Sequence, residues 1–493
     1  MEAQYPKKYV LYGLLIVCSW VLTLELRFHL SSLSSSTGGA LDATTFLPPP
    51  AAEIEDRRQS SSCEGRYVYM VDVPERFNML KDCVEGSPLF DDIWSWCAMT
   101  VNGGLGPKVI STGNGSVMFH HRMRRYECLT GDPSAATAVY VPYYPGLDVH
   151  PHMCGHNTSV RDGPSREFLR WLSSQPSWAA LGGRDHFVVT GRTTWTFRRE
   201  PGGPDEWCGN SFLLQPESRN MTALTLESDI LHPRDLAVPY PSYFHPSSAA
   251  EVAAWQDLAR RAPRPLLMAF AGAQRAKGTL AIREKVFDLC SEAAAAARRC
   301  GMLDCGRGLE GAIACRTPEK LVGLFASARF CLQPPGDSFT RRSAIDALVA
   351  GCVPVFFHRF STLRLQYRWH DDRRRRIRYY VLLDLDDVVS GKVRVEEALS
   401  RYTDQQVAVM REEVIRIMPR FLYKDPTAAF QGEMEDAFDI AMDGVMERMR
   451  RIKNGERLEW EDHEPDTADS TYLVIPPFVY VLFFCFWLSL FIN

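Results

Sequence analysis

The sequence lacks the motifs that indicate a metal centre. It contains no Cys-x-x-Cys pair and no His-Glu-x-x-His motif, the spacings that typically hold structural or catalytic zinc. Its histidines are scattered, and residues such as His120, His121, His150 and His152 are more often ordinary surface or core side chains than metal ligands. We therefore expect neither a structural nor a catalytic metal.

An excess of charge of one sign is also absent. The formal net charge of the 493 residues is −4, with 24% charged and 46% hydrophobic residues. This balance argues against a disordered chain and against broad nucleic-acid binding. We interpret the local basic run Arg373 to Arg376 as a solvated or ligand-facing surface. The length leaves room for two ordinary domains and a sizeable core.

The amino-terminal segment lacks a small-residue cleavage site. Lys7 and Lys8 precede a largely apolar stretch, and this arrangement favours a signal anchor over a cleaved signal peptide. We predict a cytosolic tail at 1–8 and a transmembrane helix at 9–26. The next residues are rich in Ser, Ala and Pro, which predicts a flexible stem at 27–62. The rest of the chain would then lie in the lumen of the secretory pathway.

The carboxyl end carries a second apolar segment. Residues 473–492 are almost wholly apolar and, at about 1.5 Å per residue, are long enough to cross a bilayer. Pro476 and Pro477 would disturb its start, and an acidic linker at 456–472 precedes it. A lipid-anchor signal would need a polar spacer of about 8–12 residues, which is missing here. We therefore predict a second membrane contact.

Cysteines and sequons agree with a lumenal location. Of the 14 cysteines, Cys18 and Cys485 lie in the hydrophobic ends, which leaves 12 for disulfides in an oxidising compartment. Their connectivity does not follow from the sequence. Candidate N-glycosylation sites occur at three sequons, Asn114-Gly-Ser, Asn157-Thr-Ser and Asn220-Met-Thr.

The segment Cys315 to His358 carries the strongest functional signal. Its pattern predicts a helix, a strand at 329–332, a Gly/Pro loop, a second helix from near Ser338 that Gly351 closes, and a strand at 353–357. This order is a parallel β-α-β unit.

Arg341 and Arg342 indicate an anionic ligand at the start of that second helix. The first turn already carries the positive end of the helix dipole, where carboxylates rather than cations are favoured. Asp346 follows four residues after Arg342 on the same face. Amides and guanidinium groups suit the phosphates of a nucleoside diphosphate, and a carboxylate suits the hydroxyls of its ribose. The alternative is an internal Arg342–Asp346 pair on a solvated helix.

A similar strand, loop and helix precede this unit. The residues from Leu266 to Phe270 predict a strand, and small residues after it lead into an Ala-rich helix that ends near Arg299. Gly272 can bring backbone amides close to phosphate, and Arg275 lies in the same loop. Two such loops at the carboxyl ends of parallel strands define a ligand-binding crevice. The predicted nucleotide-binding residues are Gly272, Arg275, Gly336, Asp337, Ser338, Arg341, Arg342 and Asp346.

The first half also alternates strands with loops and helices. Strands are predicted at 66–71, 138–142 and 186–190. Aromatic and polar residues follow the second and third strands, which suits a carbohydrate because sugar faces stack on aromatic rings and sugar hydroxyls need polar partners. The alternative is that these aromatics belong to the core. The predicted carbohydrate-binding residues are Tyr143, Tyr144, Arg192 and Trp195.

Six motifs carry a resemblance to a known family. They are Cys63-Glu-Gly-Arg-Tyr-Val-Tyr, Val139-Tyr-Val-Pro-Tyr-Tyr-Pro-Gly-Leu-Asp, Gly183-Arg-Asp-His-Phe, Pro239-Tyr-Pro-Ser-Tyr-Phe-His-Pro, Ala269-Phe-Ala-Gly-Ala and Cys331-Leu-Gln-Pro-Pro-Gly-Asp-Ser-Phe-Thr-Arg-Arg-Ser. In this order, from about Cys63 to Asp425, the chain resembles the plant exostosin-like glycosyltransferases of family 47. Within that family it is most similar to the xyloglucan galactosyltransferases.

The resemblance implies an α/β fold of GT-B type, in which two Rossmann-like domains face a cleft. The acceptor-side domain would span 63–250 and the nucleotide-sugar-binding domain 251–455. It also implies an inverting transfer of galactose from UDP-galactose to xylose side chains of xyloglucan, by a type II Golgi membrane protein with a lumenal catalytic domain. The family uses no cofactor besides the donor and does not rely on an Asp-x-Asp metal site. Asp384-Leu-Asp386 is therefore interpreted as an exposed strand end.

One residue departs from the family pattern. The family usually has Gly-Arg-x-x-Trp-Asp-Phe-Arg-Arg, and this chain has Thr196 in place of the aspartate. Activity or acceptor choice would differ if this position serves the acceptor or the base. An inverting transfer needs a base for the acceptor hydroxyl proton, and the candidates are Asp148, Asp185 and His186. Asp148 is favoured because its loop should overhang the cleft, whereas the other two lie at the entry end of their strand.

Three functions remain consistent with the sequence. The first is galactose transfer to xyloglucan or a related wall polysaccharide. The second is transfer from another donor, such as a UDP-uronic acid or UDP-arabinose, and a uronic acid would need an extra cation near the sugar. The third is a non-catalytic partner that binds polysaccharide or a sister transferase in a Golgi complex, and Thr196 is its only support.

Overall fold

The computed structural model describes residues 63–77, 98–101, 109–112, 115–200, 207–229, 232, 234–274, 281–297, 299–372, 377–426 and 428–456. All of them belong to the second of two units, Met1–Ser62 and Cys63–Asn493. Several predicted features lie outside the described residues, namely the anchor and stem, the segment 473–492, Asn114, Arg275 and the run Arg373 to Arg376. Within the described ranges, no helix is both long and apolar enough to cross a membrane.

Two parallel sheets form the framework. The strands are β1 (Val68–Met70), β2 (Ala98–Val101), β3 (Val109–Thr112), β4 (Leu129–Thr130), β5 (Ala138–Val141), β6 (His186–Val189), β7 (Thr222–Thr225), β8 (Asp235–Ala237), β9 (Leu266–Gly272), β10 (Cys300–Asp304), β11 (Ala328–Gln333), β12 (Val353–Phe356) and β13 (Val381–Leu382). The first sheet has the order β4-β1-β5-β6-β7-β8 and the second the order β10-β9-β11-β12-β13. All pairs in these two sheets are parallel, whereas β2 and β3 form a separate antiparallel pair. The predicted α/β fold is confirmed.

Helices connect the strands and cover the sheets. They are α1 (Gly115–Met123), α2 (Pro145–Asp148), α3 (Thr158–Ser173), α4 (Pro176–Ala179), α5 (Ala249–Arg261), α6 (Ala281–Ala297), α7 (Gly308–Ala314), α8 (Pro318–Ala326), α9 (Arg342–Val349), α10 (Leu363–Gln366), α11 (Leu385–Val389), α12 (Val395–Ser400), α13 (Asp404–Ile417) and α14 (Ala437–Lys453). The predicted β-α-β unit is present as β11, α9 and β12. Gly351 closes α9 with a φ of 62°, a left-handed conformation that favours glycine.

Helix α9 begins at Arg342 and not near Ser338, so the predicted start was wrong. Arg341 is the N-cap residue and has extended backbone angles. In the loop before it, the backbone N–H of Thr340 donates to the carboxylate of Glu227, 113 residues earlier in the chain. A contact across this distance in the chain leaves no local signal. Arg342 is thus the first helical residue, and Arg341 lies just outside the helix.

Asp384 is exposed and lies two residues after β13, as predicted, and it also caps the next helix. Its side chain accepts hydrogen bonds from the backbone N–H groups of Asp386 and Asp387, both at 3.0 Å. It is therefore the N-cap of α11, a position where a carboxylate satisfies otherwise unpaired donors.

The last helix packs on the first sheet although it falls within the range 251–455 predicted for the second domain. Phe438 and Met442 of α14 share a core cluster with Tyr140 and Phe187 of the first sheet. The apolar face of α14 covers a sheet whose last strand ends 200 residues earlier in the chain, at Ala237, and hydrophobic periodicity alone does not reveal this packing. The two halves are therefore joined by α14 as well as by the chain between β8 and β9.

Ten described cysteines form five disulfides, which agrees with the prediction that the cysteines outside the hydrophobic ends pair. They are Cys63–Cys128, Cys154–Cys208, Cys290–Cys300, Cys305–Cys315 and Cys331–Cys352. The last joins β11 to the residue that follows the turn after α9.

Two helical glycines give a matched test of the packing of α14. A Cβ atom at Gly444 would lie 2.3 Å from the indole ring of Trp369, whereas a Cβ at Gly323 in α8 would meet nothing within 4 Å. We expect Gly444→Ala to lower the free energy of unfolding by about 1–3 kcal/mol through overpacking. Gly323→Ala should raise it by about 0.5–1 kcal/mol, because alanine loses less backbone entropy in a helix. Thermal unfolding of both variants measures this, and a stabilised Gly444→Ala protein would contradict the packing.

Candidate active site between the two sheets

Loops at the carboxyl ends of the two sheets contact each other. Glu227 lies two residues after β7, and one of its carboxylate oxygens accepts hydrogen bonds from the backbone N–H and the hydroxyl of Thr340, at 2.5 and 2.7 Å. Nearby, the backbone N–H of Ser228 donates to Oε1 of Gln366 at 2.8 Å. Ligands of open α/β sheets bind at the carboxyl ends of strands, so this junction is the candidate site.

The start of α9 places Arg342 and Asp346 side by side. Arg342 Nε lies 3.5 Å from Asp346 Oδ2, and its guanidinium carbon lies 3.7 Å from the ring centre of Tyr243. Burial raises the pKa of Asp346 to about 6, against the opposing charge of Arg342. Asp346 Oδ1 and Arg342 Nη2 are buried and have no hydrogen-bond partner among the described residues. The internal pair therefore exists, yet it leaves an acceptor and a donor unsatisfied.

Arg341 packs against the glycine of the preceding loop. Its Nη1 donates to Ser338 Oγ at 3.2 Å, and its Nη2 lies 2.7 Å from the half-exposed carboxylate of Asp337. A Cβ atom at Gly336 would lie 1.4 Å from Arg341 Nη2. The loop thus holds four of the predicted nucleotide-binding residues together, and Gly336 leaves the space that the guanidinium occupies.

Gly272 and Arg283 hold the neighbouring loop. A Cβ at Gly272 would lie 2.5 Å from the ring of Phe270, so this glycine is required for packing at the end of β9. Arg283 is buried and donates to the backbone carbonyls of Ala273 at 2.8 Å and Pro335 at 3.0 Å. It therefore ties the loop after β9 to the loop after β11.

Asp148 lies at the end of α2, in the loop that follows β5 of the first sheet. Its Oδ2 is buried and lacks a hydrogen-bond partner within the described part of the chain. Burial raises its pKa to about 6, and the nearby Tyr143 hydroxyl opposes the rise. A carboxyl group with this pKa is largely ionised near neutral pH and more basic than an exposed aspartate, as general-base catalysis requires.

Arg192 follows β6 and holds the Asp148 loop. Its Nε donates to the backbone carbonyl of Gly146 at 3.2 Å, and its Nη2 lies 2.6 Å from Nδ1 of His150. Burial lowers its pKa to about 10, so the guanidinium stays charged at neutral pH. The structure thereby brings the loops of Asp148 and Arg192 together at the carboxyl ends of the strands.

Tyr143 and Tyr144, predicted to bind carbohydrate, lie in the core instead. Tyr143 stacks on Phe168 with 3.8 Å between ring centres, and the Tyr144 hydroxyl is hydrogen-bonded to Nδ1 of His120. Each tyrosine is 2% exposed. Trp195, by contrast, is 39% exposed and follows β6 by six residues, where it can present a ring face to a ligand.

Asp185 and His186 lie at the amino ends of the strands, whereas Asp148 lies beyond their carboxyl ends. His186 is the first residue of β6, and its Nδ1 lies 2.8 Å from Asp185 Oδ1. Its ring meets Trp178 in an edge-on contact. Because the strands of this sheet are parallel, the length of β6 separates this pair from the loops at the carboxyl ends. The structure therefore groups Asp148, but not this pair, with Arg192.

Thr196 belongs to the short helical turn Thr194–Phe197, which also carries Trp195, and its side chain is buried. It is 1% exposed, and its backbone carbonyl accepts a hydrogen bond from the N–H of Asn210 at 2.8 Å. Close by, Arg199 forms a buried ion pair with Asp162 at 2.6 Å. Thr196, the residue that departs from the family pattern, thus packs in the interior beside this turn.

Sequence reasoning did not identify two residues that hold the site together. Glu227 had a usable signal, because a carboxylate directly after a strand of a parallel sheet lies at the ligand-binding edge. Arg283 had none, because it is one of several charged residues in a long Ala-rich helix.

Arg283 offers a test of the loop connection. We expect Arg283→Met to lower the free energy of unfolding by about 1–3 kcal/mol, because two backbone carbonyls lose a buried charged donor. Lys285→Met, on the exposed face of the same helix, should change it by less than about 0.5 kcal/mol. Thermal unfolding of the two variants makes the comparison. Equal midpoints for both would contradict the role given to Arg283.

Comparisons with known proteins identify the family. Residues 62–389 match the Exostosin GT47 domain. The xyloglucan galactosyltransferase MUR3 of Arabidopsis thaliana is 37% identical over 444 residues, which cover 84% of this chain and 69% of that protein. A probable xyloglucan galactosyltransferase of the same plant is 38% identical over 418 residues, covering 81% and 85% of the two chains. The xyloglucan-specific galacturonosyltransferase 1 of Arabidopsis thaliana is 34% identical over 411 residues, which cover 80% of this chain and 59% of that protein. The chain is a glycosyltransferase that belongs to the exostosin GT47 family.

Proposed function

We propose that this protein transfers galactose from UDP-galactose to the xylose side chains of xyloglucan. The observation that carries the proposal is the pair of cations at the start of α9 beside buried Asp346, at the junction with the first sheet. Relatives that are named xyloglucan galactosyltransferases support the choice of donor and acceptor. The meeting of two parallel sheets at their carboxyl ends agrees with a GT-B arrangement.

The donor is assigned to the second half. Arg341 and Arg342 would bind the diphosphate, and Asp346 would accept a hydrogen bond from a ribose hydroxyl. A ligand in this place would supply partners for Asp346 Oδ1 and Arg342 Nη2, which have none among the described residues. Buried polar groups are normally hydrogen-bonded, so the unsatisfied atoms support a polar ligand.

The acceptor is assigned to the first half, where Arg192 and Trp195 follow β6. Asp148 would take the proton of the acceptor hydroxyl. The acceptor oxygen then forms a bond to the anomeric carbon of galactose from the face opposite the diphosphate, and the bond to the diphosphate oxygen breaks. The configuration inverts, and UDP leaves with the electron pair, its charge stabilised by Arg341 and Arg342.

A UDP-uronic acid donor is the second candidate. One relative, 34% identical to this chain, is named a xyloglucan-specific galacturonosyltransferase. A uronic acid carries a carboxylate, which would need a further cation beside the sugar.

We further propose a lumenal Golgi location, as a type II membrane protein that is able to join a transferase complex. The five described disulfides support an oxidising compartment. Asn157 and Asn220 are exposed, as glycosylation requires. Asn157 also caps α3, and the amide of Asn220 donates to the carbonyl of Gly182 at 2.8 Å.

A donor panel tests the proposed function. The full chain is incubated with a xyloglucan oligosaccharide and, separately, with UDP-galactose, UDP-galacturonic acid or UDP-arabinose, and products are read by mass spectrometry. The proposal expects one added hexose from UDP-galactose. Addition of a uronic acid alone would establish the second candidate in its place.

Donor binding depends on the first turns of α9. We expect Arg342→Ala and Asp346→Ala to raise the KM for UDP-galactose about 10- to 100-fold, because charged hydrogen bonds to the donor are lost. Arg394→Ala, at an arginine whose side chain is 73% exposed, serves as the control and should leave KM unchanged. Initial rates across donor concentrations give these values. Wild-type kinetics in both α9 variants would refute the donor assignment.

The raised pKa of Asp148 predicts the acid limb of the pH profile. A base must be ionised, so kcat/KM for the acceptor should fall by about tenfold per pH unit below pH 6, the approximate pKa of Asp148 in the free protein. Asp148→Asn should lower kcat by about 10²–10⁴-fold and remove this limb. An unchanged limb in the residual activity of that variant would assign the base to another group.

A further inference from the structure

One carboxylate in the first half fixes the loop that carries the donor-binding residues. Glu227 receives both hydrogen bonds of Thr340, one from the backbone and one from the side chain. Glu227 is 6% exposed and Thr340 is 3% exposed, so water does not compete for these bonds. Thr340 directly precedes Arg341, and the bonds therefore restrain the backbone from which the diphosphate-binding guanidinium extends.

The backbone around Glu227 is hydrogen-bonded to residues of the first half, where the acceptor is proposed to bind. Its carbonyl accepts hydrogen bonds from the hydroxyls of Thr194 and Thr225, the latter at 2.8 Å. The preceding N–H, that of Leu226, donates to the carbonyl of Arg192 at 3.0 Å. The backbone at Glu227 is thus hydrogen-bonded to the loop that carries Arg192 and Trp195.

The two sets of bonds make Glu227 the connection between the proposed acceptor loop and the proposed donor loop. A carboxylate at this depth is retained only with charge-assisted partners, and Thr340 supplies two of them. Both bonds end on the same carboxylate oxygen, Oε2 of Glu227.

We propose that Glu227 is a positioning residue for the donor. Its carboxylate holds the loop of residues 336–341 against the acceptor half and so sets the place of Arg341. This inference rests on the proposed function and deepens it: the affinity for the UDP moiety is determined partly by a residue of the other half of the protein, which never touches the donor.

The test compares variants on both sides of the contact by calorimetric titration of the full chain with UDP. Glu227→Ala should weaken UDP binding about tenfold, the loss expected when a buried charged hydrogen-bond acceptor is removed. Glu227→Gln should stay within about threefold of wild type, because the amide oxygen still accepts from Thr340. Thr340→Val should weaken binding and Thr340→Ser should not. In kinetics, Glu227→Ala should raise the KM for donor more than it lowers kcat.

Three controls separate this inference from alternatives. Glu127→Ala, at an exposed glutamate of the same half, should bind UDP as wild type does. Thr340→Val should cause no further loss in the Glu227→Ala background, because the Thr340 hydroxyl has already lost its carboxylate acceptor there. If Glu227→Ala fails to fold, the Thr340→Val and Thr340→Ser pair carries the test alone.

The outcomes are distinguishable. Folded Glu227→Ala with wild-type affinity, or Thr340→Val indistinguishable from Thr340→Ser, overturns the positioning role while leaving the proposed function intact. Losses that multiply in the double variant also overturn it. Absence of UDP binding in the wild-type protein overturns the proposed function and this inference together.

Discussion

The contact between the carboxyl ends of the two parallel sheets is the constraint on which the site depends. Every loop argued to bind substrate begins where a strand of one sheet ends, so the site exists only while the two edges stay together. Buried hydrogen bonds from Thr340 to Glu227 and from Ser228 to Gln366 cross the junction directly. Helix α14, from the end of the chain, packs on the first sheet and adds a second connection between the halves. Loops of such a site are positioned by the framework and not by their own sequence.

Electrostatics at the start of α9 follow from this arrangement. Arg341 and Arg342 stand at the positive end of a helix dipole, which is unfavourable without an anion. Asp346 compensates part of that charge, but burial leaves one of its oxygens and one Arg342 nitrogen without a partner among the described residues. An anionic ligand with hydroxyl groups resolves both deficits. The unsatisfied atoms at Asp346 and Arg342 therefore favour an anionic ligand on physical grounds, independently of family membership.

Sequence reasoning was most successful where structure is local. Propensity and turn chemistry predict the strands at 266–270 and 329–332, the helix before the second of them and the closing Gly351, and all occur. It failed where contacts are distant. Unpredicted contacts join Thr340 to Glu227, Tyr143 to Phe168 and Tyr144 to His120, and α14 packs on the sheet of the other half. Thr196, which the sequence marked as a functional departure, proved to be a buried support position.

The central claim is that the nucleotide binds at the start of α9 at the junction of the two sheets. A crystal structure of the protein with UDP tests this most directly. The account predicts diphosphate oxygens within about 2.7–3.2 Å of the guanidinium groups of Arg341 and Arg342, and a ribose hydroxyl at the same distance from Asp346. A diphosphate bound at the amino ends of the strands, near Asp185 and His186, or anywhere without contact to α9, would contradict it.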